Sequence, residues 1–247
     1  MYVQTDGIVL RETRYKDSDK ILTVLTRSEG LATVKAAGAL RRSSKFTACS
    51  QLLAYSELTL FAYKDRFSLN EAALLDTWLP LRDDLTRMTM CAYAAELCEA
   101  LAPEGVPCDE MLELLRLLLY RACYKEQPEA LLKAAFEAAM MVLCGYAPDL
   151  SGCAVCDEVS PVNPLLALSQ GVVVCSKCRE HYAEGIAMPL SEGGLAALRF
   201  IADCEVGKVF SFKLADEELR QFAQAVEAYV HTHLERGFGA LDFYKKL

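Results

Sequence analysis

The chain has 247 residues, 53% of them hydrophobic and 24% charged, which excludes an intrinsically disordered protein and allows a sizeable buried core. The formal net charge of -8 argues against a protein wholly devoted to polyanions. The charge is uneven, however: residues 11–45 carry nine basic and four acidic side chains, whereas residues 81–247 carry 15 basic and 25 acidic ones. One end of the chain alone can therefore contact a polyanion.

Five strands are predicted in the first 80 residues, each bounded by polar or glycine-containing turns. They cover residues 7–12, 19–27, 30–38, 51–63 and 66–75. The second and third strands are joined by a short hairpin connection at residues 28–30, in which Gly30 can take a positive φ. Five short strands fit a small closed barrel. The OB-fold is such a barrel and binds nucleic acids through its loops and one strand face. We therefore predict an OB-fold DNA-binding domain over residues 1–80.

Helical periodicity begins at about Leu81 and predicts an α-helical domain over residues 81–247. The predicted helices cover 81–102, 109–124, 128–145, 193–204 and 216–237. The second of them is apolar on nearly all sides, which favours central burial. In the last helix, Asp216 is a candidate N-cap and Gly237 a candidate C-terminal stop. A turn-rich, cysteine-bearing segment at about 149–187 interrupts the domain, and the fold class is therefore α+β.

Four of the eleven cysteines form two CxxC pairs, Cys153/Cys156 and Cys175/Cys178, separated by eighteen residues. This spacing is typical of a zinc site, because each knuckle presents two sulfurs to one ion. Four protein ligands leave no open position, so the site is predicted to be structural. A redox dithiol is the alternative, but it does not need a matched second pair. His181 can replace a ligand, although four cysteines make a surface histidine the better interpretation.

A basic loop lies between the third and fourth predicted strands. Its sequence Arg-Arg-Ser-Ser-Lys-Phe at residues 41–46 follows Lys35 and Gly38. Cationic side chains on a loop can pair with phosphates, and Phe46 can stack on a base. The alternative is a solvated loop. Around the first strand connection, further cations can extend the same surface, namely Arg11, Arg14, Lys16 and Lys20; a solubilising strand end is the alternative for Lys20.

Four aromatic residues of the barrel strands can form a platform for base stacking, but burial in the barrel core is the favoured prediction for each. They are Tyr55, Phe61, Tyr63 and Phe67. No nucleophile elbow, Walker loop or zinc-protease helix occurs in the chain, so no enzymatic activity is predicted. His231 and His233 are two apart on a predicted helix and do not share a metal-binding face.

No apolar run reaches the roughly 20 residues of a membrane span, and the first residues lack the pattern of a secretory signal. We therefore expect a cytoplasmic protein without membrane contact. Reduced thiols and one metal site account for the cysteines better than disulfides do.

Three segments together resemble the RecO family of bacterial recombination mediators. They are GIVLRETRYKDSDKILTVLTRSEG at residues 7–30, AAGALRRSSKF at residues 36–46, and the two CxxC pairs, in that order and spacing. The final residues HTHLERGFGALDFYKKL are also similar to the end of this family, so the resemblance covers the whole chain.

This resemblance implies an N-terminal five-stranded OB-fold β-barrel followed by an α-helical domain with an inserted four-cysteine zinc finger. Such proteins bind single- and double-stranded DNA, anneal strands and pair with RecR to help load RecA; they also engage the C-terminal tail of the single-stranded-DNA-binding protein. They act in the cytoplasm, at the nucleoid during repair, and are not enzymes. The DNA contacts implied by position are Lys35, Arg41, Arg42 and Lys45, and less directly Arg14, Lys16 and Lys20. The implied Zn2+ ligands are Cys153, Cys156, Cys175 and Cys178.

A metal-dependent enzyme and a protein-binding adaptor are the two alternative functions. A nuclease or RNA-modifying enzyme needs converging carboxylates for magnesium, whereas the acidic residues here are spread along helices. A zinc-ribbon adaptor would bind partners through its helical body without DNA contact, and charge reversal at Arg41 and Arg42 would then leave its activity intact.

Overall fold

The computed structural model describes residues 1–64, 66–182 and 185–247. The chain forms two compact units. The first consists of residues 1–126 and 238–247, and the second consists of residues 127–237.

A closed five-stranded barrel forms the N-terminal part of the first unit, which confirms the prediction of a small barrel. Its strands are β1 (Tyr2–Tyr15), β2 (Asp19–Thr26), β3 (Gly30–Ala36), β4 (Tyr55–Tyr63) and β5 (Arg66–Asp76). The order around the barrel is β1-β2-β3-β5-β4, and β3 and β5 are parallel while all other pairs are antiparallel. The first strand is longer than predicted at both ends, and the fourth starts four residues later.

Alternating side chains of β3 contribute to the barrel core. In β3, Ala32, Val34 and Ala36 are buried while Thr33 between them is exposed, as the period of two requires. Gly30, the first residue of β3, has φ +60, and a Cβ there would lie 2.3 Å from the carbonyl oxygen of Pro103. The core side chains of the barrel are Val9, Leu22, Val24, Ala32, Val34, Ala36, Ala39, Phe46, Ala54, Leu58, Leu60 and Leu69.

Three helices complete the first unit: α1 (Leu85–Leu101), α2 (Asp109–Tyr124) and α6 (Gly239–Tyr244). The side chain of Asp84 caps α1 by accepting a hydrogen bond from the Arg87 N–H at 3.0 Å. The last helix packs against α1, where the rings of Tyr93 and Phe238 have centroids 5.3 Å apart. The apolar side chains of α2 are buried along one broad face, but Tyr120 is exposed, so burial is less complete than predicted.

Among its described residues, the second unit has three α-helices and a small sheet. The helices are α3 (Glu129–Leu143), α4 (Glu192–Asp203) and α5 (Asp216–Leu234). The strands are β6 (Asp149–Cys153), β7 (Leu165–Ala167), β8 (Val172–Val174) and β9 (Ala187–Pro189), in the order β6-β8-β7-β9. Where α3 packs on α5, the buried Lys133 ammonium lies 2.8 Å from a carboxylate oxygen of Glu137 and 2.7 Å from one of Glu227.

The last long helix begins at Asp216, as predicted, but its predicted N-cap and its predicted C-terminal stop are both wrong. Ala215 is the N-cap, and Asp216 is already helical, because the Glu218 carboxylate accepts a hydrogen bond from the Ala215 N–H at 3.3 Å. At the other end, Glu235 takes the left-handed conformation with φ 48 and terminates the helix before Gly237. Among the described residues, none of the helices combines the length and apolar character that a membrane crossing needs.

Candidate nucleic-acid interface and metal centre

The chain after β3 is held against the turn that joins β1 and β2. The N–H of Leu40 donates to the carbonyl of Ser18 at 2.9 Å, and the N–H of Gly38 donates to the carboxylate of Asp19 at 2.8 Å. Gly38 has φ +69, a backbone conformation that L side chains rarely adopt. These contacts bring the basic loop and the first strand connection to one end of the barrel.

Asp19 joins these two segments electrostatically as well. The hydrogen bond from the Gly38 N–H, followed by that from the Lys35 ammonium, lowers the pKa of Asp19. The Lys35 ammonium lies 3.1 Å from the Asp19 carboxylate and 5.9 Å from the ring centre of Tyr15. Lys35 therefore belongs to the same end of the barrel, but its charge is partly neutralised within the protein.

Exposed cations cover this end of the barrel, and we call them the basic surface: Arg14, Lys16, Arg41, Arg42 and Lys45. Within the part of the chain that the structure describes, the first four make no ion pair with a carboxylate, so their charges are available to a ligand. Lys45 donates to the carbonyl of Asn70 on β5 at 3.1 Å, which extends the basic surface to that strand.

Lys20 has a different environment. Its ammonium pairs with the Glu12 carboxylate and donates to the carbonyl of Ser50 at 3.0 Å, and its side chain is only 12% exposed. The alternative of a solubilising strand end is therefore wrong for this residue. Because Ser50 lies in the connection between β3 and β4, Lys20 holds that connection on the β1–β2 hairpin.

The aromatic residues divide between the core and the surface. Phe46 is only 7% exposed and belongs to the barrel core, so the prediction that it stacks on a base is wrong. Phe67 packs against the same core, as predicted. Phe61 and Tyr63 are exposed, which contradicts the prediction of burial for each. They alternate along β4 with Leu60 and Ala62, and this register directs both rings outward.

Tyr55 is half-buried and belongs to a polar cluster on the outer side of the barrel. Its hydroxyl donates to the Asp6 carboxylate at 2.6 Å, and the Arg27 guanidinium binds the same carboxylate through two nitrogens at 2.7 and 2.8 Å. The hydrogen bond from Arg27, opposed by burial and reinforced by Tyr55, lowers the pKa of Asp6. The cluster ties β1 to the end of β2 and the start of β4.

Sequence reasoning missed three exposed side chains of the same barrel. The ring of Tyr2 packs on that of Phe61 with centroids 5.4 Å apart, and Lys64 and Arg66 flank the connection from β4 to β5. Tyr2 was missed because the first strand was predicted to begin at residue 7. A weaker signal was present, since Tyr2, Val3 and Thr5 are residue types that are enriched in strands.

The four predicted cysteine ligands come together in the second unit. Their sulfur atoms all lie within 4.8 Å of one another, and the Cys156 and Cys175 sulfurs are 3.9 Å apart. Four sulfurs at the vertices of a tetrahedron around zinc, each about 2.3 Å from it, would be about 3.8 Å apart. All eleven cysteines are free thiols. The cluster therefore has the size and composition of a metal site, and the exposed His181 lies outside it.

Local backbone geometry positions these sulfurs. Cys153 ends β6 and Cys175 follows β8, and these two strands pair through Cys153 and Val173. Burial raises the pKa of the Cys153 thiol, but N–H groups of Cys175, Val155 and Cys156 outweigh that effect and lower it to about 6. Hydrogen bonds from backbone N–H groups thus favour a thiolate, the form that binds metals.

The comparison with known proteins covers the whole chain. The family model described as recombination protein O N terminal matches residues 1–78, and the model described as recombination protein O C terminal matches residues 82–242. A protein of Acetivibrio thermocellus named DNA repair protein RecO is 29% identical over 246 residues, which is 100% of this chain and 97% of the relative. Its namesake in Symbiobacterium thermophilum is 31% identical over 250 residues, covering 98% and 96%. The chain therefore belongs to the recombination protein O (RecO) family of DNA repair and recombination proteins.

Proposed function

We propose that this protein is a non-enzymatic recombination mediator that binds and anneals single-stranded DNA and helps to load RecA together with RecR. The observation that carries the proposal is the basic surface at one end of the barrel. A loop and a strand connection, separated in sequence, are hydrogen-bonded together there, and four of their cations have no carboxylate partner among the described residues. Family membership supports the repair pathway itself.

Phosphate neutralisation explains how such a surface promotes annealing. Two complementary strands repel each other through their phosphates, and cations that bind both strands in turn lower this repulsion. Arg41 and Arg42 are exposed and free to pair with phosphates, and the attachment of their loop to Ser18 and Asp19 reduces the ordering that binding requires. Base pairing then supplies the specificity, so the protein needs no covalent step.

The proposed DNA contacts differ in their roles. Arg14, Lys16, Arg41 and Arg42 are proposed to neutralise phosphates, whereas Lys45, whose ammonium also donates to the carbonyl of Asn70, is proposed to contact the DNA less directly. Lys35 is likewise proposed to contact the DNA less directly, because Asp19 already shares its charge. Lys20 is proposed to act by positioning, since it binds Glu12 and Ser50 and holds the loop in place.

We also propose that Zn2+ is the metal bound by Cys153, Cys156, Cys175 and Cys178. Bound there, zinc would cross-link β6 to the segment after β8 through four thiolates and supply folding energy rather than catalysis. The four sulfurs within 4.8 Å of one another support this assignment. The segment at about 149–187 would then be a zinc finger inserted in the helical domain.

The partners follow from family membership. We propose that residues 1–80 contact single- and double-stranded DNA, while residues 81–247 bind RecR and the C-terminal tail of the single-stranded-DNA-binding protein. The net acidic charge of residues 81–247 supports this division, because that part of the chain would repel DNA. The proposed place of action is the cytoplasm, at the nucleoid during repair.

Annealing of two complementary oligonucleotides coated with the single-stranded-DNA-binding protein tests this function. A fluorophore on one strand and a quencher on the other report the rate. The Arg41→Ala/Arg42→Ala variant should anneal at least about tenfold more slowly at moderate salt, because two phosphate contacts are lost. The control is Lys208→Ala/Arg220→Ala, which removes two exposed cations from the second unit and should anneal normally.

Two outcomes would overturn the proposal. If the natural protein does not accelerate annealing at all, the mediator function fails. If Arg41→Ala/Arg42→Ala anneals as fast as the natural protein, the basic surface is not the DNA site, and an adaptor that binds only proteins explains the chain better.

A further inference from the structure

A row of large exposed rings lies on the outer face of the barrel, on strands β1 and β4. We call Tyr2, Phe61 and Tyr63 the aromatic row. Tyr2 pairs directly with Phe61 across the strands, and Tyr63 is two residues further along β4 on the same face. Their exposed fractions are 62%, 39% and 65%. Single exposed apolar residues are ordinary, but adjacent large rings on one sheet face indicate a binding surface.

Cationic side chains accompany the aromatic row. The Lys64 ammonium lies 5.6 Å from the ring centre of Tyr63, and Arg66 pairs with Tyr63 across the hairpin of β4 and β5. Phe61 pairs with Ser68 of β5, and Ser68 pairs in turn with Lys35 of β3. Aromatic rings that lie beside cations on one sheet face are suited to bind a nucleic-acid strand, which offers both flat bases and phosphates.

The aromatic row is also continuous with the basic surface. Lys45 of the basic surface donates to Asn70 of β5, two residues beyond Ser68 on that strand. From the loop after β3, a ligand can therefore cross the outer sides of β3 and β5 and reach Phe61 on β4. This continuity and the charge of Lys35, Lys64 and Arg66 identify a nucleic acid as the ligand rather than an apolar peptide.

We propose that the aromatic row stacks the unpaired bases of single-stranded DNA and gives the protein its preference for single strands over duplex. This inference rests on the proposed function. Phosphates are present on both forms of DNA, so the basic surface alone cannot tell them apart. In a duplex the base faces are stacked on one another, whereas a single strand can present them to aromatic rings.

The test compares binding of labelled oligo-dT and of a labelled duplex to the natural protein and to Phe61→Ala/Tyr63→Ala. Alanine at one stacking position costs roughly 5- to 150-fold in affinity, so the double variant should bind oligo-dT at least about tenfold more weakly. Duplex binding should stay within about twofold, and the salt dependence should be unchanged because no charge is removed. The matched control, Phe61→Tyr/Tyr63→Phe, keeps both rings and should bind oligo-dT normally.

A second measurement does not depend on the folding of a variant. Ultraviolet cross-linking of bromodeoxyuridine-substituted single strands to the natural protein should place adducts on Tyr2, Phe61 or Tyr63. If the alanine variant binds oligo-dT like the natural protein and the adducts lie elsewhere, this inference fails while the proposed function stands. If the natural protein binds neither form of DNA, both fail together.

Discussion

The salt dependence of the proposed DNA binding can be calculated from the exposed cations that make no ion pair with a carboxylate among the described residues. Arg14, Lys16, Arg41 and Arg42 are exposed and make no ion pair among the described residues. Each neutralised phosphate of a single strand contributes about -0.7 to the slope of log K against log salt concentration, so four contacts give a slope of about -3. Affinity should therefore fall about 50-fold between about 50 and 200 mM salt.

Removal of two of these cations should halve the slope. The Arg41→Ala/Arg42→Ala variant keeps two phosphate contacts, and its affinity should fall only about sevenfold over the same salt range. Fluorescence anisotropy of a labelled oligo-dT, titrated at several salt concentrations, measures both slopes. Lys208→Ala/Arg220→Ala is the control, because it changes the net charge equally but at exposed cations paired with Glu205 and Glu217.

The slopes themselves decide the outcome. Equal slopes for the natural protein and the arginine variant would refute the assignment of Arg41 and Arg42 to phosphates, even if the variant bound more weakly. A reduced slope in the control would show that general net charge, rather than the basic surface, governs binding.

Three further predictions concern metal binding and stability. Elemental analysis should give one equivalent of zinc for the natural protein and none for Cys153→Ser, which should also have a lower melting temperature; a full metal content in the variant would contradict the proposed four-thiolate site. Asp6→Asn should lower the free energy of unfolding by about 1–2 kcal/mol at pH 7, after allowance for the exposure of Arg27, as measured by urea titration. Because the folded pKa of Asp6 is lowered, this stabilisation is present above its unfolded pKa of about 3.9 and should shrink as the pH falls below that value; a pH-independent difference would contradict the ion pair. Lys133→Met should lower the free energy of unfolding by about 3–5 kcal/mol, because the buried Glu137 carboxylate would lose its ion pair with the Lys133 ammonium; a change below about 1 kcal/mol in the same titration would show that this ion pair is dispensable.

Local patterns in the sequence were sufficient for most of the architecture. The predicted strands at 19–27, 30–38 and 66–75 lie within two residues of β2, β3 and β5, because turn residues and the period of two are local properties. The four-cysteine cluster was also predictable, since each CxxC knuckle is a local turn and the spacing of the two knuckles is typical of one shared site.

Errors occurred where a side chain's surroundings come from distant parts of the chain. Phe46 is adjacent to basic residues in sequence, yet it fills the barrel core against residues of other strands. Lys20 resembles a solvated strand end until the carbonyl of Ser50, thirty residues later, is placed beside it. Phe61 and Tyr63 face outward because the register of β4 assigns the inner positions to its other residues.

By itself, the sequence determined the class of the protein, its barrel strands, its two CxxC pairs and the stretch of chain that carries the basic loop, because composition, periodicity and spacing are read along the chain. The tertiary structure alone decided which cations stay free of carboxylates, which rings reach the surface and that Tyr2 lies beside Phe61. The reason is that an ion pair or a strand register depends on residues far apart in sequence, and closure of the barrel brings them together.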